Sequence, residues 1–348
     1  MRIFASSTPT GANISSGKII KGEKKVAKIV SFFAGCGGLD LGFVGGFTYR
    51  NQKYAKQPFE VVQAYDFDAA CEPTYKSNVG EHFQIMDLAK AKPAEMPRGD
   101  ILIGGFPCQE FSICGPKGGT DSKRGSLFKS MSAYAKFHQP LLVIAENVAH
   151  LPRMNEGNEL RRIKKSFADA GYRCIQWDMY APDYGVPQAR QRVVLVFVRK
   201  DIAFDPLPPR QTFAGKYRSV EWAISDLIGI DDETVANQSQ YFKAALAKSG
   251  NGQGDETSPR NAPGYTVRAN AKSRVQFHYA LPRRLTIREC ARLQTFPDNF
   301  VFPHAATTNI RQIGNAVPPV MAHAIATSIG AYLEDVVSGK LDTKGGEK

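Results

Sequence analysis

The chain alternates short, almost wholly apolar runs with longer stretches of helical spacing. Residues 29–33, 59–64, 101–103, 141–145 and 193–198 read as buried strands, and 69–77, 126–138 and 158–170 as helices between them. Strands apolar on both faces, each followed by a helix, predict an α/β fold with a mostly parallel, twisted sheet covered on both sides. The pattern changes after Arg199. Asp205-Pro206-Leu207-Pro208-Pro209 signals a stiff linker, and 250–263 is polar and rich in Gly, Asn and Pro. Past Asn309 the α/β character returns, with an amphipathic helix over 321–333. The expected organisation is a disordered basic lead (1–25), an α/β body (26–199), a smaller second domain (200–305), a return to the body (306–336) and a polar tail (337–348).

The 348 residues are enough for one large domain and a smaller one, and 43% hydrophobic with 22% charged residues supports an ordinary core. No stretch reads as the ~18 apolar residues of a membrane span, and the N-terminus lacks the apolar centre of a secretory signal. No membrane partner is expected, and a cytoplasmic setting fits. The six cysteines form no Cys-x-x-Cys pair and no cluster with histidines, which argues against zinc or a disulfide framework; no metal is expected. The net charge of +12 points to a polyanionic partner, with a merely solvated basic surface as the alternative. Lys117, Lys123, Arg124, Arg260, Arg268, Lys272, Arg274, Arg283 and Arg284 contribute, several in loop-like stretches that suit phosphate contacts.

Candidate chemistry gathers where the strands end. Cys108 lies in Gly104-Gly105-Phe106-Pro107-Cys108-Gln109, directly after the run 101–103. Two glycines let the backbone turn sharply there, and the C-terminal edge of an α/β sheet is where ligand crevices form. A buried bystander thiol is the plain alternative. Phe33-Ala34-Gly35-Cys36-Gly37-Gly38 follows the first strand and opens a helix at about Leu39, a geometry that brings a ligand close to the backbone. Asp40 stands where a dinucleotide fingerprint needs its third glycine, so a different adenosine-containing ligand is favoured over NAD. Asp66 ends the next strand, where a carboxylate can accept from ribose hydroxyls; Phe67 can flank an adenine ring and Asp87 can hold its exocyclic amine. Each acid can equally be a simple cap. Glu146-Asn147-Val148 directly follows the run 141–145 at the edge that carries Cys108, making Glu146 a candidate proton donor or a helix cap. In Gln188-Ala189-Arg190-Gln191-Arg192, alternation projects Arg190 and Arg192 to one face, where they can orient a carbonyl or phosphate, unless they form a solvated strand end.

In this order the blocks resemble the DNA cytosine-C5 methyltransferase family. Two more match: Arg284-Leu285-Thr286-Ile287-Arg288-Glu289 running on to Phe296-Pro297-Asp298, and Gln312-Ile313-Gly314-Asn315-Ala316-Val317-Pro318-Pro319. The resemblance spans about Val26 to Leu333. It implies a catalytic α/β domain plus a target-recognition domain, and S-adenosyl-L-methionine held by Phe33, Ala34, Gly35, Cys36, Gly37, Gly38, Asp66, Phe67, Asp87, Leu88, Pro107, Leu127, Asn315, Ala316 and Val317. Cys108 is implied as the nucleophile toward carbon 6 of a flipped cytosine. Glu146 would act at N3 with Asn147 holding its carboxyl group, and Arg192 and Arg190 would bind the base carbonyl or a phosphate. Double-stranded DNA is the implied partner, touched by Gln109, Ser112, Cys114, Lys117, Lys123, Arg124, Arg260, Arg268, Lys272 and Arg274, with 112–124 as a mobile lid. A restriction endonuclease as functional partner and a monomeric state follow from the same resemblance. A tRNA cytosine-C5 methyltransferase and a catalytically silent DNA-binding homologue are the alternatives. Three departures stand out: Asp66 where the family usually has Glu, Cys114 where others often have Ser, and an extra polar stretch at 48–57 with no evident role.

Overall fold

The apolar runs become the strands of a single large sheet in a computed structural model that describes residues 26–107, 127–244, 256–269 and 275–337. Its strands are β1 (Ala27–Phe32), β4 (Phe59–Asp66), β5 (Phe83–Ile85), β6 (Ile101–Gly104), β7 (Leu142–Val148), β8 (Tyr172–Tyr180) and β10 (Gln191–Arg199). They lie in the order β5-β4-β1-β6-β7-β10-β8. The first five are parallel; β10 inserts antiparallel between β7 and β8. This is the expected α/β methyltransferase arrangement, a mostly parallel sheet with helices on both faces.

Two readings of the apolar runs change. The run 141–145 extends to Val148, because β10 pairs with it as far as Arg192 opposite Val148. Glu146 and Asn147 therefore lie inside a strand rather than after it. The edge strand β8 escaped notice because its half-buried, mixed residues carry no clean period.

One face of the sheet is covered by α1 (Gly38–Val44) and α8 (Pro319–Val337), which meet at a glycine. A Cβ on Gly42 would lie 2.3 Å from the Ala322 Cβ. The other face is covered by α3 (Phe128–His138) and α4 (Asn158–Asp169), through Met131, Ile163 and Phe167. The run 306–336 is long and apolar enough to cross a membrane, which corrects the expectation from hydropathy. It is two helices, α7 (Ala306–Asn315) and α8, interrupted at an extended Ala316. Two thirds of the qualifying window is buried inside the fold, against the sheet and α1, as suits a core helix.

The described residues of 200–302 carry little regular structure: α5 (Val220–Ile224), the short strand β11 (Gly264–Tyr265) and α6 (Ile287–Leu293). β11 pairs with β9 (Gln188–Ala189). The side chains of α5 and α6 share one apolar cluster with Ile310 and Ile313 of α7 and with Cys36. Irregular backbone must still place its carbonyls. Buried Arg288 donates to the carbonyls of Ala236, Pro297 and Phe300, and burial pushes its guanidinium down to about 10. The extra stretch at 48–57 folds as a hairpin, β2 (Phe47–Tyr49) and β3 (Gln52–Tyr54).

Candidate active site

Register brings the candidate residues together. Phe32, Tyr65, Gly104 and Ala145 form one row across β1, β4, β6 and β7. One residue further along each chain stand Phe33, Asp66, Gly105 and Glu146, side by side at the same edge. β1 and β6 approach so closely that a Cβ on Gly104 would lie 2.5 Å from the Phe32 carbonyl oxygen.

The glycine loop turns back through left-handed backbone at Phe33, Gly35 and Gly37 (φ 55°, 55° and 91°). Such backbone is cheap only for glycine, which has no Cβ, so Phe33 is held there by its surroundings. The Ala34 amide donates to the Tyr65 carbonyl at 3.0 Å and the Gly35 amide to Asp66 Oδ2 at 2.8 Å. The Asp68 amide donates to the other Asp66 oxygen. Burial raises the Asp66 carboxyl, and the amides of Asp68 and Gly35 partly offset this. Asp66 thus braces the loop. Nothing lies within 4 Å of a Cβ built on Gly35, so the loop faces open space, beside a Phe67 ring that is 67% exposed.

Cys36 points away from that space. Its thiol is buried in the α6–α7 cluster and directed at the Gln312 carbonyl, and burial pushes it up to about 12, so its contribution to a ligand site is through backbone. Gly38 opens α1 against the other end of the chain: a Cβ there would lie 2.5 Å from the Val317 oxygen and 3.1 Å from the Ala316 Cβ. Val317 is buried, Ala316 half-buried and Asn315 exposed. Leu88 is buried beside Phe106 and Phe128, and Leu127 is half-buried just before α3. Asp87 is exposed, accepts from the Ala89 amide and pairs with Lys90. Beneath the loop, buried Asp40 accepts from Ser31 at 2.7 Å and Tyr75 at 2.5 Å, and burial lifts its carboxyl to about 6.

The turn that follows β6 leaves it beside Glu146. A Cβ on Gly105 would lie 3.2 Å from Glu146 Oε2, so only a bare backbone passes there without shifting the carboxylate. Asn147 donates its amide to the Phe106 carbonyl at 2.9 Å, and so holds this turn rather than the Glu146 carboxyl group that it was expected to hold. Pro107 follows, half-buried. Cys108 itself, with Gln109, Ser112, Cys114, Lys117, Lys123, Arg124, Lys272 and Arg274, lies outside the described residues.

The two arginines separate in role. Arg192 Nε lies 2.8 Å from Glu146 Oε1, both side chains mostly buried. Its N–H is misaligned, so Oε1 receives charge pairing but no directed hydrogen bond. Arg190 is 2% exposed and turns inward. Its guanidinium donates to the carbonyls of Val267 (3.3 Å), Gly314 (3.1 Å) and Ala316 (3.0 Å), binding the segment after β11 to the loop that meets Gly38. Gln188 and Gln294 complete this joint: Gln188 accepts from the Val267 amide and donates to Leu293, and Gln294 donates to Ile313 and Ala316. Gln294 lies in the block that runs from Arg284 to Asp298, but the sequence assigned it no role. Arg260 is exposed and paired with Glu221 at 2.6 Å, and Arg268 is exposed. Among the described residues no group of three or more His, Cys, Asp or Glu can hold a metal ion.

Comparison with known proteins agrees with this geometry. The family model of C-5 cytosine-specific DNA methylases matches residues 27–241 and 223–331. The chain is 34% identical over 345 residues to the Type II methyltransferase M.NgoFVII of Neisseria gonorrhoeae, covering 88% of this chain and 87% of that one. It is 33% identical over 326 residues to the Type II methyltransferase M.DsaV of Dactylococcopsis salina, covering 90% and 88%. The S. pombe Dnmt2 methyltransferase structure superposes with a TM-score of 0.64 at 17% identity, covering 89% of this chain and 99% of that one, which supports the fold.

Proposed function

The chain belongs to the C-5 cytosine-specific DNA methylases, and from that premise we propose how its residues carry the reaction. It methylates DNA cytosine at carbon 5, drawing on a methyl donor. We assign S-adenosylmethionine as that donor, which supplies an electrophilic methyl sulfonium when bound. The open face at Gly35, the exposed Phe67 ring and the Asp66 carboxylate fit its adenosine moiety. Phe33 to Gly38, Asp87, Leu88, Pro107, Leu127 and Asn315 to Val317 would line the rest of the site.

Carbon 5 of an intact cytosine is a poor nucleophile. The Cys108 thiolate adds to carbon 6, and the ring electrons move so that carbon 5 becomes the nucleophilic end of an enamine. Glu146 delivers a proton or a hydrogen bond to N3 as this occurs. Carbon 5 gains the methyl group, a base removes the carbon-5 proton, the double bond re-forms and the thiolate leaves. The target base is out of reach inside a duplex, so it must flip out, which costs a few kcal/mol. Arg192 keeps Glu146 in place and lies near enough to meet the base carbonyl, whereas Arg190 acts as a positioning residue through the loop at Ala316.

The observation that supports this reading is the close approach of Gly105 to the Glu146 carboxylate, because it brings the backbone that leads toward Cys108 in sequence beside a buried carboxylate. We assign 200–305 the reading of the DNA sequence, with Gln109, Ser112, Cys114, Lys117, Lys123, Arg124, Arg260, Arg268, Lys272 and Arg274 facing the duplex. We also propose a monomer acting in the bacterial cytoplasm on nucleoid DNA beside a partner restriction endonuclease. Relatives named as Type II methyltransferases support that context. A duplex with 5-fluorocytosine at the target traps a covalent complex with the native chain, and Cys108→Ser abolishes it. A Cys108→Ser protein that methylates DNA at the native rate overturns the assignment. Bisulfite sequencing of DNA from expressing cells identifies the target cytosine.

A further inference from the structure

The hairpin β2–β3 is the feature that the reaction leaves unexplained. Its base belongs to the catalytic body. Phe47 and Tyr54 stack at 4.9 Å, and both rings meet His323 of α8 edge-on, at 6.1 and 5.3 Å. The ring of His323 in turn lies 2.9 Å from the Ala55 carbonyl through Nε2. Its tip reaches the other unit. Tyr49 is buried and donates to the Arg292 carbonyl of α6 at 2.7 Å. Arg50, at the turn, pairs with Asp226 at 2.6 Å and lies over the Trp222 ring. Asp226 is shared: Arg292 pairs with its other oxygen at 2.6 Å and also binds Asp298 at 2.8 Å. On the flank, Arg218 donates to Gln52 and Tyr54, with its guanidinium between the rings of Phe213 (4.4 Å) and Trp222 (4.2 Å).

A two-stranded ribbon with a hydrophobic base and a charged tip is stiff only when held at both ends. Here both ends are held, by different parts of the chain. The base is fixed to the helix that covers the sheet, and the tip is fixed to α5, the turn at 225–227 that follows it, and α6. We propose that this hairpin is a strut that sets the angle of the 200–305 unit against the sheet edge, and that Tyr49 and Arg50 are its positioning residues. The inference rests on the reading of 200–305 as the DNA reader. An angle error at the reader changes how the duplex seats before a base is extruded, and so which cytosine reaches Cys108 and Glu146. The strut therefore governs which cytosine is presented, not the chemistry done on it.

The test uses the full chain with Arg50→Ala, Arg50→Lys and Tyr49→Phe, measured beside the native protein. Arg50→Ala is expected to raise KM for DNA about threefold, the scale of one partly exposed ion pair, while kcat and KM for S-adenosylmethionine stay unchanged. Bisulfite sequencing is expected to show methylation spreading to near-cognate sites, with Arg50→Lys restoring much of the native pattern. Tyr49→Phe is expected to give the same spread. Native kinetics and native site choice in both Arg50→Ala and Tyr49→Phe overturn the strut, as does a fall in kcat and donor binding together with melting temperature. If the native chain itself methylates no DNA, the reading of the enzyme fails instead, so the two failures are distinguishable.

Discussion

The Glu146 carboxylate pairs with the Arg192 guanidinium at Oε1, and on its Oε2 side a glycine leaves it room that a Cβ would crowd. Gly105→Ala puts a Cβ 3.2 Å from Oε2, closer than nearly all real contacts, so the acid must move by a few tenths of an ångström. The expected result is a kcat lowered about tenfold or more with donor binding unchanged, measured by steady-state kinetics and equilibrium titration. Native kcat would mean that this turn does not set the acid's place. Asp40 carries a separate prediction. Burial raises its carboxyl to about 6 in the folded chain from 3.8. The folded state then binds that proton more tightly than the unfolded state, so stability is lost as pH rises from about 4 to about 6, and above that a fixed cost of about 3 kcal/mol remains. Asp40→Asn removes the titration. Its stability relative to the native chain is expected to rise by about 3 kcal/mol between about pH 4 and pH 7.5, read by urea unfolding. A difference that stays flat would place the Asp40 titration outside this window. The places of Glu146, Asp66 and the glycine loop at one sheet edge were legible in the chain because each sits at the end of an apolar run. The inward turn of Arg190 was not, since alternation gives a face but not what that face meets.

At the scale of elements, glycines decide where helices and strands can touch. Gly42 lets α1 lie on α8, with Ala322 Cβ at 2.3 Å and the Pro319 oxygen at 2.6 Å from where a Cβ would be. Alanine improves helix propensity by about 1 kcal/mol. The obstructing atoms include backbone, which cannot swing aside, so the clash wins. Gly42→Ala is expected to destabilise the chain by about 1–3 kcal/mol, seen as a lower melting temperature; an unchanged or higher melting temperature would show that α1 and α8 can part without cost. The same closeness at Gly38 and Val317 ties helix packing to the donor site. The parallel strands β1, β4, β6 and β7 and the buried helices followed from periodicity, but the strand order and the antiparallel β10–β8 edge did not. The hairpin did not, because a polar stretch in a long loop has no periodic signal and takes its shape from His323, Trp222 and Arg292, all distant in sequence.

For the molecule as a whole, charge is the instructive quantity. The +12 balance suggested a surface made for phosphate, but Arg190, Arg284, Arg288 and Arg292 are all buried. Arg190 and Arg288 spend their donors on carbonyls of irregular backbone, and Arg292 on two aspartates. The two kinds of arginine separate in a salt titration of DNA binding. Arg260→Ala is expected to reduce the slope of log affinity against log salt by about 0.9, the value for one neutralised phosphate. Arg288→Met is expected to leave that slope unchanged while lowering stability by several kcal/mol, because three buried carbonyls lose their donor. An unchanged slope in Arg260→Ala would remove that residue from the DNA face.

Local pattern alone carried the parallel core of the sheet, the glycine loop and the place of Glu146 at the sheet edge, because these depend on period and on turns that need glycine. Long-range packing settled which arginine meets Glu146, that Asn147 holds the turn at Phe106, that Cys36 faces the core, and that a polar insertion joins two parts of the chain. Those outcomes depend on contacts between segments up to some 270 residues apart. No local pattern encodes a partner at that distance; it is fixed when packing leaves one low-energy place for each buried polar group.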